Sequence, residues 1–408
     1  MNKSVILGID AWYPQVDGVT NVVKYYRENL KGEYDCEIIA PSYGDALDKE
    51  GERKYCAGVF HNRSLWVPFI GFRNSVPSSD RKLKKLLDKS NPVLLHAHSP
   101  FAICGYFIKY GKKHDIPVVY TFHTKFKDEF MRVTHSRLIT AVMMSVIMRN
   151  IKKLEYVWAV SASSAQTLRE YGYKGKIKVM RNGTDMRVAG NEERAALSAE
   201  INKEYGISPD ERVFLFVGRV VSVKNIKFSF RVIAELKKRG FSCKFFVVGG
   251  GEEIEPHKKY AEKLGVSDSV IFTGFVGDRG KLRRYYARAN LFLLPSVFDN
   301  APLVMLEAAS LQTPSLVPAG TSSEELIKND VTGYAEKLDE TLWADKIEKI
   351  FSGADYAAVC KGCTSVVYTW EQAVADAEAE YRRIIAEYHG RAEEAEEACG
   401  ELPAGQNG

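Results

Sequence analysis

The sequence predicts an α/β protein built from two doubly wound Rossmann-like domains facing a cleft, and three observations carry that expectation. Short apolar, β-rich runs alternate with helical stretches, the pattern of parallel strands wrapped by helices. The alternation fills the first half, breaks off after Val160 and restarts at Val213. A chain of 408 residues is long enough for two such domains, each with its own core.

In the first half, strands are expected at Ser4–Asp10, Cys36–Ala40, Val93–His96, Val118–Phe122 and Tyr156–Val160. Helical pattern occupies Asn21–Lys31, Asp80–Lys89 and Ala102–His114 between them. In the second half, strands at Val213–Val217, Lys244–Val248, Val270–Thr273 and Leu291–Leu294 alternate with helices at Phe228–Arg239 and near Pro256–Leu264. The charged, Ala/Glu-rich stretch between them sets a first domain over 1–187, a linker over 188–210 and a second domain over 211–370. A helix over 371–388 is expected to pack back on the first domain. Residues 389–408 are acidic and Gly/Ala-rich, which predicts a disordered tail.

Composition excludes several classes. Apolar residues make up 45% and charged residues 27%, an ordinary globular balance. The formal charge, 57 − 52 = +5, is too small to argue for a nucleic-acid partner. Its distribution says more: residues 1–189 carry 30 − 18 = +12, and the rest carry 27 − 34 = −7. The first half therefore suits something anionic. No apolar run approaches the roughly 18 residues that span a bilayer. The opening MNKSVILGID enters a strand directly, without the apolar region of a leader, so a cytoplasmic protein is expected. Seven scattered cysteines do not make a disulfide framework. Cys360 and Cys363 form a lone C-x-x-C, without the further ligands that zinc needs.

In open α/β sheets, ligands bind beyond the carboxyl ends of the strands, so residues just after strands are the candidates. The first strand runs through Asp17-Gly18 into a helix, a turn where free backbone N–H groups meet an anion. The second domain opens with Gly218-Arg219 followed by Lys224-Asn225. Two cations five residues apart at a strand end suit a diphosphate, Arg as a planar fork and Lys as a point charge. Gly249-Gly250-Gly251 ends another strand, leaving open a nucleotide against bare backbone or a flexible turn. The strand ending at Gly274-Phe275 offers backbone groups to a base. Most informative is Leu291–Ala309, a strand, a polar loop and a helix with Pro302 at its first position. Asp299 and Glu307 are two acids eight residues apart around that helix start, suited to accepting from sugar hydroxyls. Alternatively, Asp299 caps the helix and Glu307 is a solvated surface acid.

Taken with Asn182-Gly183-Thr184-Asp185, these motifs resemble the retaining GT-B glycosyltransferases of group 1, family 4, the glycogen-synthase-like enzymes. The resemblance spans about residues 4–388. It implies that Arg219 and Lys224 hold the diphosphate of a nucleotide-sugar and that Glu307 binds its ribose. Gly18, Gly218, Gly250, Asn300, Leu303 and Val304 would complete the donor site, with Asp299 on the donor sugar. Asp299 is one methylene shorter than the glutamate usual there, and Asp17 stands where a glycine is usual. His123 would lie near the reacting carbon, with His98 and Asp17 on the acceptor side. The family is metal-independent and needs no cofactor. His96 and His98 alone would be too few ligands for a metal ion.

Residues 124–153 combine an apolar centre, Leu138, Ile139, Val142, Met143, Val146 and Ile147, with seven flanking Lys and Arg. That pattern suits a helix lying on an anionic membrane, and equally one packing on its own sheet. With the resemblance it implies hexose transfer from a donor such as UDP-glucose to a membrane-associated lipid or lipid-linked glycan. The protein would be cytoplasmic and peripheral on the inner membrane face. A soluble glycan acceptor, a non-catalytic nucleotide-sugar-binding protein and a sugar-phosphate epimerase are the alternatives.

Overall fold

The computed structural model describes residues 3–13, 18–30, 32–43, 58–67 and 72–400, the side chains of Val67, Phe72 and the residues after Arg391 excepted. The chain forms two compact units, one of residues 1–181 and 370–408, the other of residues 182–369.

The sheet of the first unit contains β1 (Lys3–Gly8), β2 (Tyr34–Pro41), β3 (Val59–Asn62), β6 (Pro92–Ala97), β7 (Val118–Phe122), β8 (Tyr156–Ala159) and β9 (Ile177–Val179). All its pairings are parallel, in the order β3-β2-β1-β6-β7-β8-β9. A separate antiparallel hairpin joins β4 (Ser64–Val67) to β5 (Phe72–Ser75). The second unit carries β10 (Arg212–Val217), β11 (Cys243–Val248), β12 (Val270–Gly274), β13 (Leu291–Leu293), β14 (Ser315–Pro318) and β15 (Tyr334–Glu336). They are parallel in the order β12-β11-β10-β13-β14-β15. Each sheet starts in its middle, grows to one edge, and crosses back to grow to the other, the doubly wound arrangement the sequence predicts. The crossing leaves a switch point at the carboxyl ends of β1 and β6 in one unit and of β10 and β13 in the other.

Because helices cover both faces of such a sheet, its strands read as continuous apolar runs. Val5, Ile6 and Leu7 of β1 and Phe214, Leu215 and Phe216 of β10 are fully buried. This is why the central strands were legible in sequence. Four of the strands at or next to the sheet edges, β3, β9, β14 and β15, are three or four residues long and too short to show a period.

The domain boundaries differ from the sequence expectation. The stretch 188–210 is no free linker, because it contains the helix Asn191–Tyr205, which packs into the second unit. Ile201 is fully buried there, and Arg194 donates to the carbonyls of Ala287 and Ala289, both at 3.3 Å. One buried isoleucine gives almost no amphipathic signal, which hid the docking. The last helix also runs longer than expected, from Trp370 to Gly400. Its Ala/Glu-rich end favours helix by intrinsic propensity, and Arg391 bonds the Tyr156 hydroxyl at 2.9 Å. Of the expected tail, 401–408 lie outside the described residues. The helix belongs to the first unit, where Ala377, Tyr381 and Ile384 are buried and the Tyr381 ring stacks on Trp158 at 5.3 Å.

Candidate functional site

Polar and charged side chains gather at the switch point of each sheet. In the second unit, Lys224 ends a short helical turn after β10 and forms an ion pair with Asp299, which follows β13. Two further bonds tie the same pair of loops: Asn225 donates to the Pro295 carbonyl at 3.2 Å, and Ser296 to that of Val223 at 3.4 Å. The Lys224 and Asp299 side chains are 25% and 16% exposed. The second carboxylate oxygen of Asp299 is buried without a partner. Arg219 is exposed and makes no ion pair among the described residues. Among the described residues, this site thus presents a guanidinium without an ion pair and a neutralised ammonium, two residue types that suit phosphate oxygens.

The alternative of a capping Asp299 and a solvated Glu307 does not hold. The helix Leu303–Ser310 has no side-chain cap, and Pro302 precedes it rather than occupying its first position. Glu307 is 8% exposed. It accepts from Arg279 at 2.8 Å and from the Tyr286 hydroxyl at 2.7 Å. Arg279 also grips both carboxylate oxygens of Asp185. Burial opposes the charge on Arg279, but Glu307 and Asp185 more than offset it and hold its pKa above the ordinary value. Burial, reinforced by Glu307, pushes the Tyr286 phenol far up, so it stays a donor.

The glycine run after β11 resolves differently from either sequence alternative. Gly249, at φ +146°, lies where a Cβ would stand 1.9 Å from the Gly218 carbonyl oxygen. A Cβ on Gly251 would meet the Val220 carbonyl oxygen at 2.4 Å. These two glycines let the loop bearing Arg219 pack directly on the neighbouring strand end, so they are neither a flexible turn nor bare backbone for a ligand. The Gly274 carbonyl is likewise taken, by the Gly249 N–H at 2.9 Å. Gly250 alone keeps open space, its nearest neighbour being the Phe275 Cβ at 3.5 Å. Leu303 and Val304 open the helix that follows Asn300.

In the first unit, the His98 N–H extends the sheet past β6 by bonding the Gly8 carbonyl at 2.8 Å, and His123 follows β7 directly. His98 Nδ1 lies 3.0 Å from His123 Nε2. His96 uses both ring nitrogens, on the Tyr381 hydroxyl at 2.6 Å and the Thr121 hydroxyl at 2.7 Å. Burial lowers the pKa of all three, that of His123 to about 3, so they are neutral imidazoles. His98 is 2% exposed and so lies beneath the surface rather than lining it. Gly18 is exposed and opens the helix Gly18–Asn29, three residues earlier than expected. Asp17 lies outside the described residues.

The basic, apolar segment forms two helices, Phe126–Thr134 and Arg137–Ile151. The second buries Thr140, Ile147, Met148 and Ile151. It leaves Leu138, Ile139, Val142 and Val146 between 48% and 76% exposed on its opposite face. Arg137, Arg149, Lys152 and Lys153 are exposed around that stripe. Among the described residues, no helix is long and apolar enough to cross a membrane. Cys360 and Cys363 are buried, their thiols raised by burial, and Cys363 donates to the Cys360 carbonyl at 3.1 Å.

The structure therefore joins Lys224 to Asp299 and His98 to His123, and leaves Arg219 apart from both acids. Sequence reasoning missed Arg279 and Tyr286, the partners of Glu307. A signal existed for one of them: Asp278 is a good N-cap, which sets Arg279 at a helix start beside the strand end of β12.

Comparison with known proteins agrees with this fold. Residues 16–188 match the family described as Glycosyltransferase Family 4, and residues 198–361 match Glycosyl transferases group 1. The chain is 25% identical, over 79% of its length and 73% of the relative's, to the alpha-monoglucosyldiacylglycerol synthase of Streptococcus pneumoniae. It is 26% identical, over 94% of its length and 89% of the relative's, to a GDP-mannose-dependent alpha-mannosyltransferase of Corynebacterium glutamicum. Among solved structures, Anabaena HepE in complex with UDP superposes with a TM-score of 0.72 at 16% identity, covering 93% of this chain and all of the other. Sucrose-phosphate synthase of Thermosynechococcus elongatus superposes with a TM-score of 0.75 at 17% identity, covering 94% and 100%.

Proposed function

Because the chain belongs to the group 1 glycosyltransferases of GT-B fold, we propose that it is a retaining hexosyltransferase using a nucleotide-sugar such as UDP-glucose. Its acceptor is a membrane-associated lipid or lipid-linked glycan. The observation that carries this reading is the Lys224–Asp299 pair spanning the second switch point, with exposed Arg219 on the loop beside it.

Arg219 and Lys224 neutralise the departing diphosphate, and one well-placed donor of this kind is worth about 3 kcal/mol of transition-state stabilisation. Glu307 accepts from the ribose hydroxyls, and Asp299 and Asn300 accept from the sugar. Gly18, Gly218, Gly250, Leu303 and Val304 complete the donor contacts. His123, a neutral imidazole, hydrogen-bonds the transferring sugar. The bond from the anomeric carbon to the diphosphate breaks, and the acceptor oxygen bonds that carbon on the same face. The acceptor proton passes to the departing diphosphate, so no protein nucleophile is required. No metal or cofactor takes part, in keeping with His96, whose two ring nitrogens are both engaged.

Two features support the lipid acceptor. Two of the relatives are named for monoglucosyldiacylglycerol synthesis. The exposed apolar stripe of Arg137–Ile151, ringed by cations, matches the chemistry of an anionic membrane surface. The enzyme then works as a peripheral protein on the cytoplasmic side.

The test is release of nucleoside diphosphate from UDP-, GDP- and ADP-sugars, with and without vesicles of diacylglycerol and anionic phospholipid. Release from one donor, raised by vesicles and reduced in a Leu138→Asp, Val142→Asp variant, is expected. Release indifferent to vesicles would move the acceptor to a soluble glycan. Tight nucleotide binding without release from any donor would leave a binding protein.

A further inference from the structure

The segment Asn182-Gly183-Thr184-Asp185 opens the second unit and ends in an acid gripped by a cation. Its backbone is fixed. Thr184 and Met186 are buried on either side of Asp185, and the Thr184 N–H bonds the Tyr368 carbonyl at 2.8 Å. The Met186 N–H bonds the Thr184 hydroxyl at 3.1 Å. Arg279 meets Asp185 through Nε at 3.1 Å and through Nη2, and the same Nη2 donates to Glu307 Oε1 at 2.8 Å. That nitrogen carries two N–H groups, so one end of the guanidinium serves both acids. The Tyr286 hydroxyl donates to the other oxygen of Glu307 at 2.7 Å. Arg279 and Tyr286 lie about two turns apart on the helix Arg279–Arg288, so a single helix face presents both to Glu307.

We propose that Arg279, anchored by Asp185, is a positioning residue that holds the Glu307 carboxylate turned to accept from the 2′,3′-diol of a ribose. The inference rests on the reading of Glu307 as the acid that meets the ribose. The last torsion of a glutamate is intrinsically broad, and tying its two oxygens to different groups removes that freedom. A carboxylate has about four acceptor positions, of which Arg279 and Tyr286 use two. A ribose diol brings two O–H donors to the others. A carboxylate only 11% exposed is costly unless a cation and hydrogen bonds compensate it, and Arg279 and Tyr286 do so before any nucleotide arrives. The Arg279 side chain is itself 42% exposed, and a long side chain at a helix start samples many rotamers unless it is held. Asp185 holds it along one edge and thereby fixes the donor that Glu307 meets. An acid ordered in advance spares binding the cost of ordering it.

The test uses calorimetry on the full chain with whichever of UDP, GDP and ADP binds the wild-type protein most tightly, and with its 2′,3′-dideoxy analogue. Arg279→Met is expected to weaken the ribonucleotide by about 4–12-fold, the upper range of what re-ordering one freed side chain costs on binding. The dideoxy analogue should stay within about twofold of wild type, which also shows that the variant is folded. Asp185→Ala should give the same selective loss at a smaller size, about 3–6-fold, because Arg279 can still reach Glu307. In a Glu307→Gln background, Arg279→Met should add less than about twofold, since a positioning residue has nothing left to position. Unchanged or tighter ribonucleotide binding in Arg279→Met would overturn the proposal, as would equal loss of both ligands or full additivity with Glu307→Gln. Should Arg279→Met fail to fold, Asp185→Ala decides alone: selective loss supports the role, and wild-type affinity overturns it. Glu307→Gln by itself separates the two readings. If it leaves the preference for the ribonucleotide over its dideoxy analogue intact, Glu307 is not the ribose acid. If it abolishes that preference while Arg279→Met keeps wild-type affinity, the ribose reading stands and the positioning role falls.

Discussion

Replacing Asp10 with Asn should remove a large pH dependence from the stability of the first unit. Asp10 lies two residues beyond β1 and is 2% exposed. One carboxylate oxygen accepts from the Ile103 N–H at 3.4 Å, in the first turn of the helix Ala102–His114, and the other has no partner. Burial pushes the carboxyl from 3.8 up to about 7, outweighing the opposing hydrogen bond from Ile103. The folded state therefore keeps this proton to higher pH than the unfolded chain does. Between about pH 4 and pH 7 the folded state binds more protons, so stability falls as pH rises through that window. A carboxyl raised from 3.8 to about 7 corresponds to about 4 kcal/mol. Set against the 5–15 kcal/mol that typically separates folded from unfolded states, that is a sizeable share. Asn keeps the shape and the acceptor for Ile103 but cannot ionise. The assay is urea unfolding of both proteins from pH 4 to pH 8, followed on the transition of the first unit. Other titrating groups cancel in the difference between the two. That difference should move by about 4 kcal/mol in favour of Asp10→Asn as pH rises. A difference flat to within about 0.5 kcal/mol would show a solvated or well-paired carboxyl and refute the reasoning.

Three further outcomes are expected. Glu307→Gln should weaken a ribonucleoside diphosphate by about 10–100-fold in calorimetry, the worth of hydrogen bonds to a charged acceptor, yet leave the 2′,3′-dideoxy analogue nearly unchanged. Lys224→Met should lower kcat/KM by roughly 10²–10³-fold and also destabilise the second unit by stranding Asp299. Adding Asp299→Asn to it should restore the Tm but not the activity. Gly249→Ala should cost roughly 2–6 kcal/mol from backbone strain and overpacking against Gly218, whereas Gly250→Ala, with open space around it, should shift the Tm by little.

The amino-acid sequence by itself determined the fold class, because both faces of each central strand are covered. Val5–Leu7 and Phe214–Phe216 then have to be continuous apolar runs, and such runs are legible without coordinates. It also determined the residues that follow strands, since chain order alone sets Arg219, Lys224, Asp299, His98 and His123 there. What it could not convey was partnership. Lys224 and Asp299 are 75 residues apart, and Glu307 and Arg279 are 28 apart. A hydrogen bond between such residues leaves no periodic trace. The docking of Asn191–Tyr205 and the Tyr381–His96 bond were silent for the same reason, since both depend on partners far away in sequence. The exposed stripe on Arg137–Ile151 shows the limit most directly. A 3.6-residue period says which side chains share a face, but only tertiary packing decides which face turns inward. Here it buried Ile147 and Ile151 and left Leu138 and Val142 outside.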